Sequence, residues 1–209
     1  MNRTQRTPVV PLEAGAGPEN PPCPACGEPL FGWLGAEPGQ RGPVSRCESC
    51  GLAVVGADAN AEEALRELDR LADGGRLRIA NRAAVAAGVG EAGWAGLERG
   101  ARYLFTVEAV RRLVARRDQV VRSRRWAPAA SFVVTWQTLL NSVTLGHDIA
   151  LGALGRATPS PAAKRWQRRL DGFVSVVLAI PALIFALPLE LVGAAIGRGS
   201  VLSLCVEPL

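Results

Sequence analysis

Several residue types are nearly missing from this sequence, and each gap narrows what the chain does. It has one histidine, one tyrosine and one methionine, and aromatic residues make up 5%. His147, beside Asp148, is the only imidazole. Acid–base catalysis would need it in a cleft with a partnered nucleophile. No G-x-S-x-G elbow occurs, and no cluster of carboxylates suggests a further metal. A lone histidine in an apolar segment reads as structural. Lysine is almost absent too. Of 24 basic residues only Lys164 is a lysine, which leaves 23 arginines. With so much alanine and glycine, this looks like the usage of a GC-rich bacterial gene. The net charge of +5 is therefore a weak pointer to nucleic acid. Met1 to Asn20 holds no apolar run and reads as a disordered lead rich in proline and glycine, not as a secretory leader. A reduced, cytosolic setting for the cysteines is the simpler expectation.

What is present begins with those cysteines. Cys23-Pro24-Ala25-Cys26-Gly27 and Cys47-Glu48-Ser49-Cys50-Gly51 are two C-x-x-C-G turns, and twenty residues separate Cys26 from Cys47. Two residues between cysteines let one tight turn offer both sulfurs to one ion, and zinc prefers four tetrahedral thiolates. The glycine after each pair allows positive φ. The spacing predicts a structural zinc site with ligands Cys23, Cys26, Cys47 and Cys50, in a ribbon over residues 21–56. Four cysteines leave no open coordination position for catalysis, so the metal supplies folding energy. Cys205 stands alone and is expected to be a small buried apolar residue.

Downstream, Ala61, Leu65, Leu68 and Leu71 recur at helical spacing over residues 57–72. Arg76 to Ala80 alternates like a strand. Gly88 to Gly100 reads as a glycine-rich loop, and its G-x-G-x-x-G match is a chance one in a chain with 23 glycines. Thr106 is a plausible N-cap for a helix with Val107, Val110, Leu113 and Val114 on one face. Arginines crowd this region: Arg99, Arg102, Arg111, Arg112, Arg116, Arg117, Arg122, Arg124 and Arg125, against Glu108 and Asp118. They suit a solvated face, a face on anionic lipid or, as a rival, nucleic acid. Aromatic residues for base stacking are sparse there.

Residues 127–155 are mainly apolar, and 131–155 could form an interfacial helix. A basic linker follows. Phe173 to Leu189 then carries no charge, and the apolar run continues past Glu190 to Gly197. At 1.5 Å per residue, a helix of about 25 residues crosses a hydrocarbon core of roughly 30 Å. Lys164, Arg165, Arg168 and Arg169 precede it and Arg198 follows, which places the N-terminal side in the cytoplasm. Pro181 and Pro188 each remove a helical hydrogen bond, and a break at Pro188 is one expectation. Interfacial docking and a soluble core are the competing readings.

Three segments together resemble bacterial class I S-adenosylmethionine-dependent methyltransferases that carry an N-terminal zinc ribbon. They are the ribbon, Asp73-Gly74-Gly75-Arg76-Leu77-Arg78-Ile79-Ala80-Asn81 and Phe105-Thr106-Val107-Glu108-Ala109-Val110. Gly74 and Gly75 are similar to the family's paired glycines before a late strand of its sheet, Asn81 to the asparagine after it, Trp94 to its tryptophan, and Phe105-Thr106 to the pair that opens a helix. The segment ending Gly197-Arg198-Gly199 is similar to the family's tail. The resemblance covers about three quarters of the chain. It also implies that the cofactor half is missing, because only about ten residues separate Gly51 from Ala61 and a strand–loop–helix–strand unit needs roughly thirty. Ala80 replaces a family proline, and Arg102 and Tyr103 stand where the family has a histidine.

The expectation is thus an α+β chain: a lead over 1–20, a zinc ribbon over 21–56, a reduced α/β methyltransferase-like remnant over 57–126, and an apolar helical tail over 127–209 with a membrane segment at 173–197. The expected function is that of a non-catalytic, membrane-associated accessory protein. It would contact membrane lipid and a protein partner, hold structural zinc and not bind S-adenosylmethionine. The alternatives are a methyltransferase completed by a dimer or second subunit, and a nucleic-acid-binding regulator.

Overall fold

A computed structural model describes residues 20–35, 42–56, 58–73, 76–90, 94–96, 101–144 and 165–209. The lead through Glu19, His147, Lys164 and most of the basic linker lie outside the described residues. The elements in chain order are β1 (Leu30–Leu34), β2 (Val44–Cys47), β3 (Ala53–Val55), α1 (Ala61–Arg70), β4 (Ala72–Asp73), β5 (Arg76–Ala80), α2 (Val85–Gly90), β6 (Tyr103–Leu104), α3 (Val107–Ala115), β7 (Gln119–Trp126), α4 (Pro128–Asn141), α5 (Arg165–Ala195) and β8 (Val201–Pro208).

The described strands form two four-stranded sheets. The first runs β1-β2-β3-β6 and the second β4-β5-β8-β7, with every pairing antiparallel. α1 begins at Asn60, whose side chain accepts from the Glu62 N–H at 2.8 Å, and buries Ala64, Leu65 and Leu68. α3 begins at Thr106 as its sequence predicts, and Val110, Leu113 and Val114 face inward. Asp118 takes φ 53 and turns the chain into β7. Arg122, Arg124 and Arg125 therefore lie on a strand and not on the basic helix. The glycine-rich stretch expected as a loop opens instead with α2, whose Ala86 and Ala87 are buried.

One hydrophobic core serves both sheets. Cys23, Cys47, Cys50, Leu52 and Val54 of the ribbon pack with Leu65 and Leu68 of α1, Val110 and Leu113 of α3, and Leu77, Ile79, Leu202 and Leu204 of the second sheet. A second cluster gathers Val44, Ala53, Ala86, Ala87 and Leu104 around Trp94, which is 1% exposed.

The C-terminal end is more than a helical tail. β8 lies between β5 and β7, in register from Arg76↔Cys205 to Ala80↔Val201 on one side and from Gln119↔Pro208 to Trp126↔Leu202 on the other. α4 leaves this sheet after β7, and α5 returns to it before β8. α4 and α5 pack together, and Trp136 Nε1 donates to the Ala179 carbonyl at 3.0 Å. α5 runs unbroken through Pro181 and Pro188. Both prolines sit on its exposed face, so neither ring intrudes on the α4 contact. α5 ends in a Schellman turn. Gly197 has φ 71, its N–H donates to the Ala194 carbonyl at 2.9 Å, and the Arg198 N–H donates to the Gly193 carbonyl at 2.6 Å.

Candidate metal centre

The two cysteine turns are geometric copies. In the first, the Gly27 N–H donates to the Cys23 carbonyl at 2.8 Å and the Cys23 N–H to the Glu28 carbonyl at 2.7 Å. In the second, the Gly51 N–H donates to the Cys47 carbonyl at 3.0 Å and the Cys47 N–H to the Leu52 carbonyl at 2.8 Å. Gly27 and Gly51 take φ 82 and 73, which favours glycine. The β1–β2 pairing sets Leu30 opposite Cys47 and so brings the turns together. The sulfurs of Cys23 and Cys50 lie 3.5 Å apart, those of Cys26 and Cys47 lie 3.4 Å apart, and all four fall within 4.8 Å of one another.

These four cysteines could hold a metal ion. Tetrahedral zinc with bonds of about 2.3 Å has sulfur–sulfur edges of about 3.8 Å, so the donor set and spacing suit that ion. Without a metal the crowded thiols share protons. Cys23 is lowered to about 5 because the Cys50 thiol donates to its thiolate. Cys50 is pushed up by the same hydrogen bond, and Cys26 is pushed up by burial. The Cys23 proton leaves easily and those of Cys26 and Cys50 leave reluctantly, until a cation offsets the repulsion between thiolates.

The sequence missed how this cluster is fastened to the rest of the chain. The Thr106 hydroxyl donates to the Cys50 carbonyl at 2.5 Å and accepts from the Ala109 N–H at 3.1 Å, so one side chain ties the second turn to the start of α3. A Cβ at Gly51 would meet Thr106 Cγ2 at 2.8 Å. Arg102 and Tyr103 are held as structural partners. Arg102 pairs with Glu63 at 2.7 Å, and the Tyr103 hydroxyl contacts Glu63 Oε2 at 3.2 Å. Cys205, expected to be buried, is half-buried on β8, with its sulfur 3.8 Å from Glu207.

Glu190, which interrupts the apolar run, is 3% exposed, at the junction of the hairpin and the sheet. Its Oε1 accepts from Trp126 Nε1 at 3.0 Å and from the Ser200 N–H at 2.8 Å. Its Oε2 accepts from the hydroxyls of Thr135 at 2.5 Å and Ser200 at 2.7 Å. The rest of α5 is inverted relative to a soluble amphipathic helix. Asp171, Ser175, Ala182 and Ala186 are buried, whereas Phe173, Val176, Ile180, Ile184 and Phe185 are exposed. On α4 the buried positions include Ser131, Thr135, Gln137 and Asn141. Arg169–Ala195 is long and apolar enough to cross a membrane, with mean hydropathy 2.4, and only 17% of its most apolar stretch is buried.

Comparison of the chain with protein-family models, with curated proteins and with solved structures gave no match.

Proposed function

We propose that this protein is a membrane-embedded, non-catalytic accessory module in which a zinc-bound ribbon stiffens a protein-binding domain. The inverted α4–α5 hairpin is the observation that carries the membrane reading. Small and polar residues at a helix–helix contact, with large apolar residues outside, are what lipid selects, because tails solvate Phe173, Ile180 and Phe185 as well as a protein core would. Water gives those side chains no such environment.

The pairing of β8 with β5 and β7 supports one refinement. α4 leaves from, and α5 returns to, the same sheet, so in this reading the hairpin enters and leaves on one side. The cysteine cluster and β8 then share the cytoplasm, where thiolates stay reduced. Arg165 opens a 31-residue helix and so lies about 46 Å from its foot. In this reading Arg165, Arg168 and Arg169, which precede the apolar run, stand at the far end of α5.

The non-catalytic part rests on the sequence, which offers no constellation that asks for catalysis. β5 falls where the methyltransferase resemblance puts a late strand, and α3 opens at Thr106 where it puts a helix. Both support a remnant of that fold. Arg102, Arg112, Arg117 and Arg122 are engaged with carboxylates, which weakens the nucleic-acid alternative.

Membrane fractionation tests the reading. The full chain is expected in the membrane pellet and to stay there through an alkaline carbonate wash. Release into the supernatant as a monodisperse protein would overturn it.

A further inference from the structure

We infer that the open face of the second sheet, at the foot of the hairpin, is a binding site for the phosphate headgroup of an anionic membrane lipid. The inference rests on the membrane reading above. A cleft of about 800 Å3 lies there, walled by Arg70, Arg76, Arg78 and Ser203 on one side and by Ala130 and Val134 of α4 on the other. An adjoining cavity of about 320 Å3 shares Arg70, Arg78 and Gly96 with it.

Strand pairing builds the charged wall. Leu77, Ile79, Leu202 and Leu204 face the core, so their alternating neighbours face the cleft. Arg78 stands opposite Ser203, and Ser203 opposite Arg125, which sets two guanidinium stems and a hydroxyl in one row across the sheet. Arg102, Arg111, Arg112, Arg117 and Arg122 each pair with a carboxylate. Among the described residues, Arg76 and Arg78 are in no ion pair. Asp73, opposite Arg76 across the β4–β5 pair, is the one carboxylate in the described cleft wall. Arg70, Arg76 and Arg78 outnumber that carboxylate, so the described wall keeps a net positive charge.

The chemistry fits a phosphodiester. Guanidinium forks bind phosphate oxygens in pairs of parallel hydrogen bonds, and the Ser203 hydroxyl adds a donor. A lipid, rather than a free phosphate, suits the other wall. Ala130 and Val134 lie in the first turns of the helix that leads into the hairpin, so acyl chains attached to a phosphate held here continue along α4. Arginines at the base of an inserted helix draw anionic lipid by about 1 kcal/mol each.

The test uses the full chain, purified in detergent with its metal retained. Its unfolding midpoint is followed against dioctanoyl phosphatidylglycerol, dioctanoyl phosphatidylcholine and inorganic phosphate. The glycerol lipid should raise the midpoint saturably, and the other two should not. In the double variant Arg76→Gln/Arg78→Gln the same rise should need on the order of thirtyfold more lipid, while Arg116→Gln on α3 should leave it unchanged. If the double variant loses its metal, Arg78→Gln alone should need roughly fivefold more. An equal rise with inorganic phosphate overturns the lipid assignment. No rise with the glycerol lipid, or one that the arginine variants leave intact, overturns the site. A carbonate-resistant protein that shows no rise sinks the site alone, whereas carbonate release sinks the membrane reading on which it stands.

Discussion

Glu190 accepts from both donors of Ser200, the backbone N–H at 2.8 Å and the hydroxyl at 2.7 Å, and so fastens the end of the apolar helix to the strand that follows it. Trp126 and Thr135 reach the same carboxylate. β7, α4, α5 and the turn before β8 therefore meet at one buried carboxyl group, whose hydrogen-bond donors are all supplied by the fold. Glu190→Ala would leave the Trp126 Nε1–H and the Ser200 N–H without this acceptor, while the Thr135 and Ser200 hydroxyls keep each other at 2.8 Å. A loss of about 3 kcal/mol is expected, read by thermal unfolding in detergent with Trp126 fluorescence as the probe. Glu190→Gln keeps an acceptor and should lose less. Equal stability of wild type and the alanine variant would show that the junction is held by packing alone.

The two cysteine turns differ in one testable respect. A Cβ at Gly27 would meet nothing within 4 Å, whereas one at Gly51 would meet Thr106 Cγ2 at 2.8 Å. Gly27→Ala should cost about 1 kcal/mol, from positive φ alone. Gly51→Ala adds overpacking against the α3 cap and should cost roughly 2–4 kcal/mol. Equilibrium unfolding of the two variants, with metal content measured in parallel, distinguishes them.

Because the cysteines share a core with α1 and α3, loss of the metal should propagate beyond the ribbon. Cys47→Ser is expected to abolish stoichiometric zinc and to lower far-ultraviolet helix content as well, since structural zinc supplies on the order of 10 kcal/mol of folding energy. A chelator on the wild type should do the same. Retained helix after chelation would mean that the domain stands without its metal.

Glu67 accepts the N–H groups of Arg102 at 3.2 Å and Tyr103 at 3.4 Å, yet burial raises its carboxyl above the usual range. A raised folded-state value means the protonated form is favoured on folding. That contribution is full below the unfolded value and is lost as pH rises through the folded one. Glu67→Gln keeps an oxygen for both N–H groups and removes the charge. It should be at least as stable as wild type at neutral pH, with the advantage vanishing in acid. Unfolding midpoints across the carboxylate range provide the check.

The two faces of α5 should answer oppositely to size and charge. Ala186 is fully buried, and Ala186→Leu should force the helices apart at a cost of about 1–3 kcal/mol. Ile184 is 64% exposed, and Ile184→Leu should be silent. Ile180→Asp on the same outer face should weaken carbonate-resistant membrane retention without loss of zinc. Unchanged retention would argue against lipid contact at that face.

Much of this was legible in the chain because the signals were local. Two C-x-x-C-G turns carry their own conformation in a glycine and a backbone hydrogen bond. α1 and α3 announce themselves by their apolar spacing, and α3 also by its cap at Thr106. The run from Phe173 to Gly197 is apolar whatever it packs against. These are short-range properties, and the sequence states them by residue type alone.

The tertiary structure decided what depends on distant partners. Val201 to Pro208 reads as a tail, and only its pairing with two strands from far upstream makes it central in a sheet. That pairing also brings the start of α4 and the end of α5 to one sheet, which is what the proposed hairpin reading rests on. Glu190 reads in the sequence only as an interruption of the apolar run, and its buried place comes from four donors of β7, α4 and the turn before β8. The unpaired arginines of β5 became a candidate site only when strand register put Ser203 between Arg78 and Arg125 and α4 closed one edge of the cleft. Burial and long-range hydrogen bonding are set by which elements meet, and no local pattern of residues encodes that meeting.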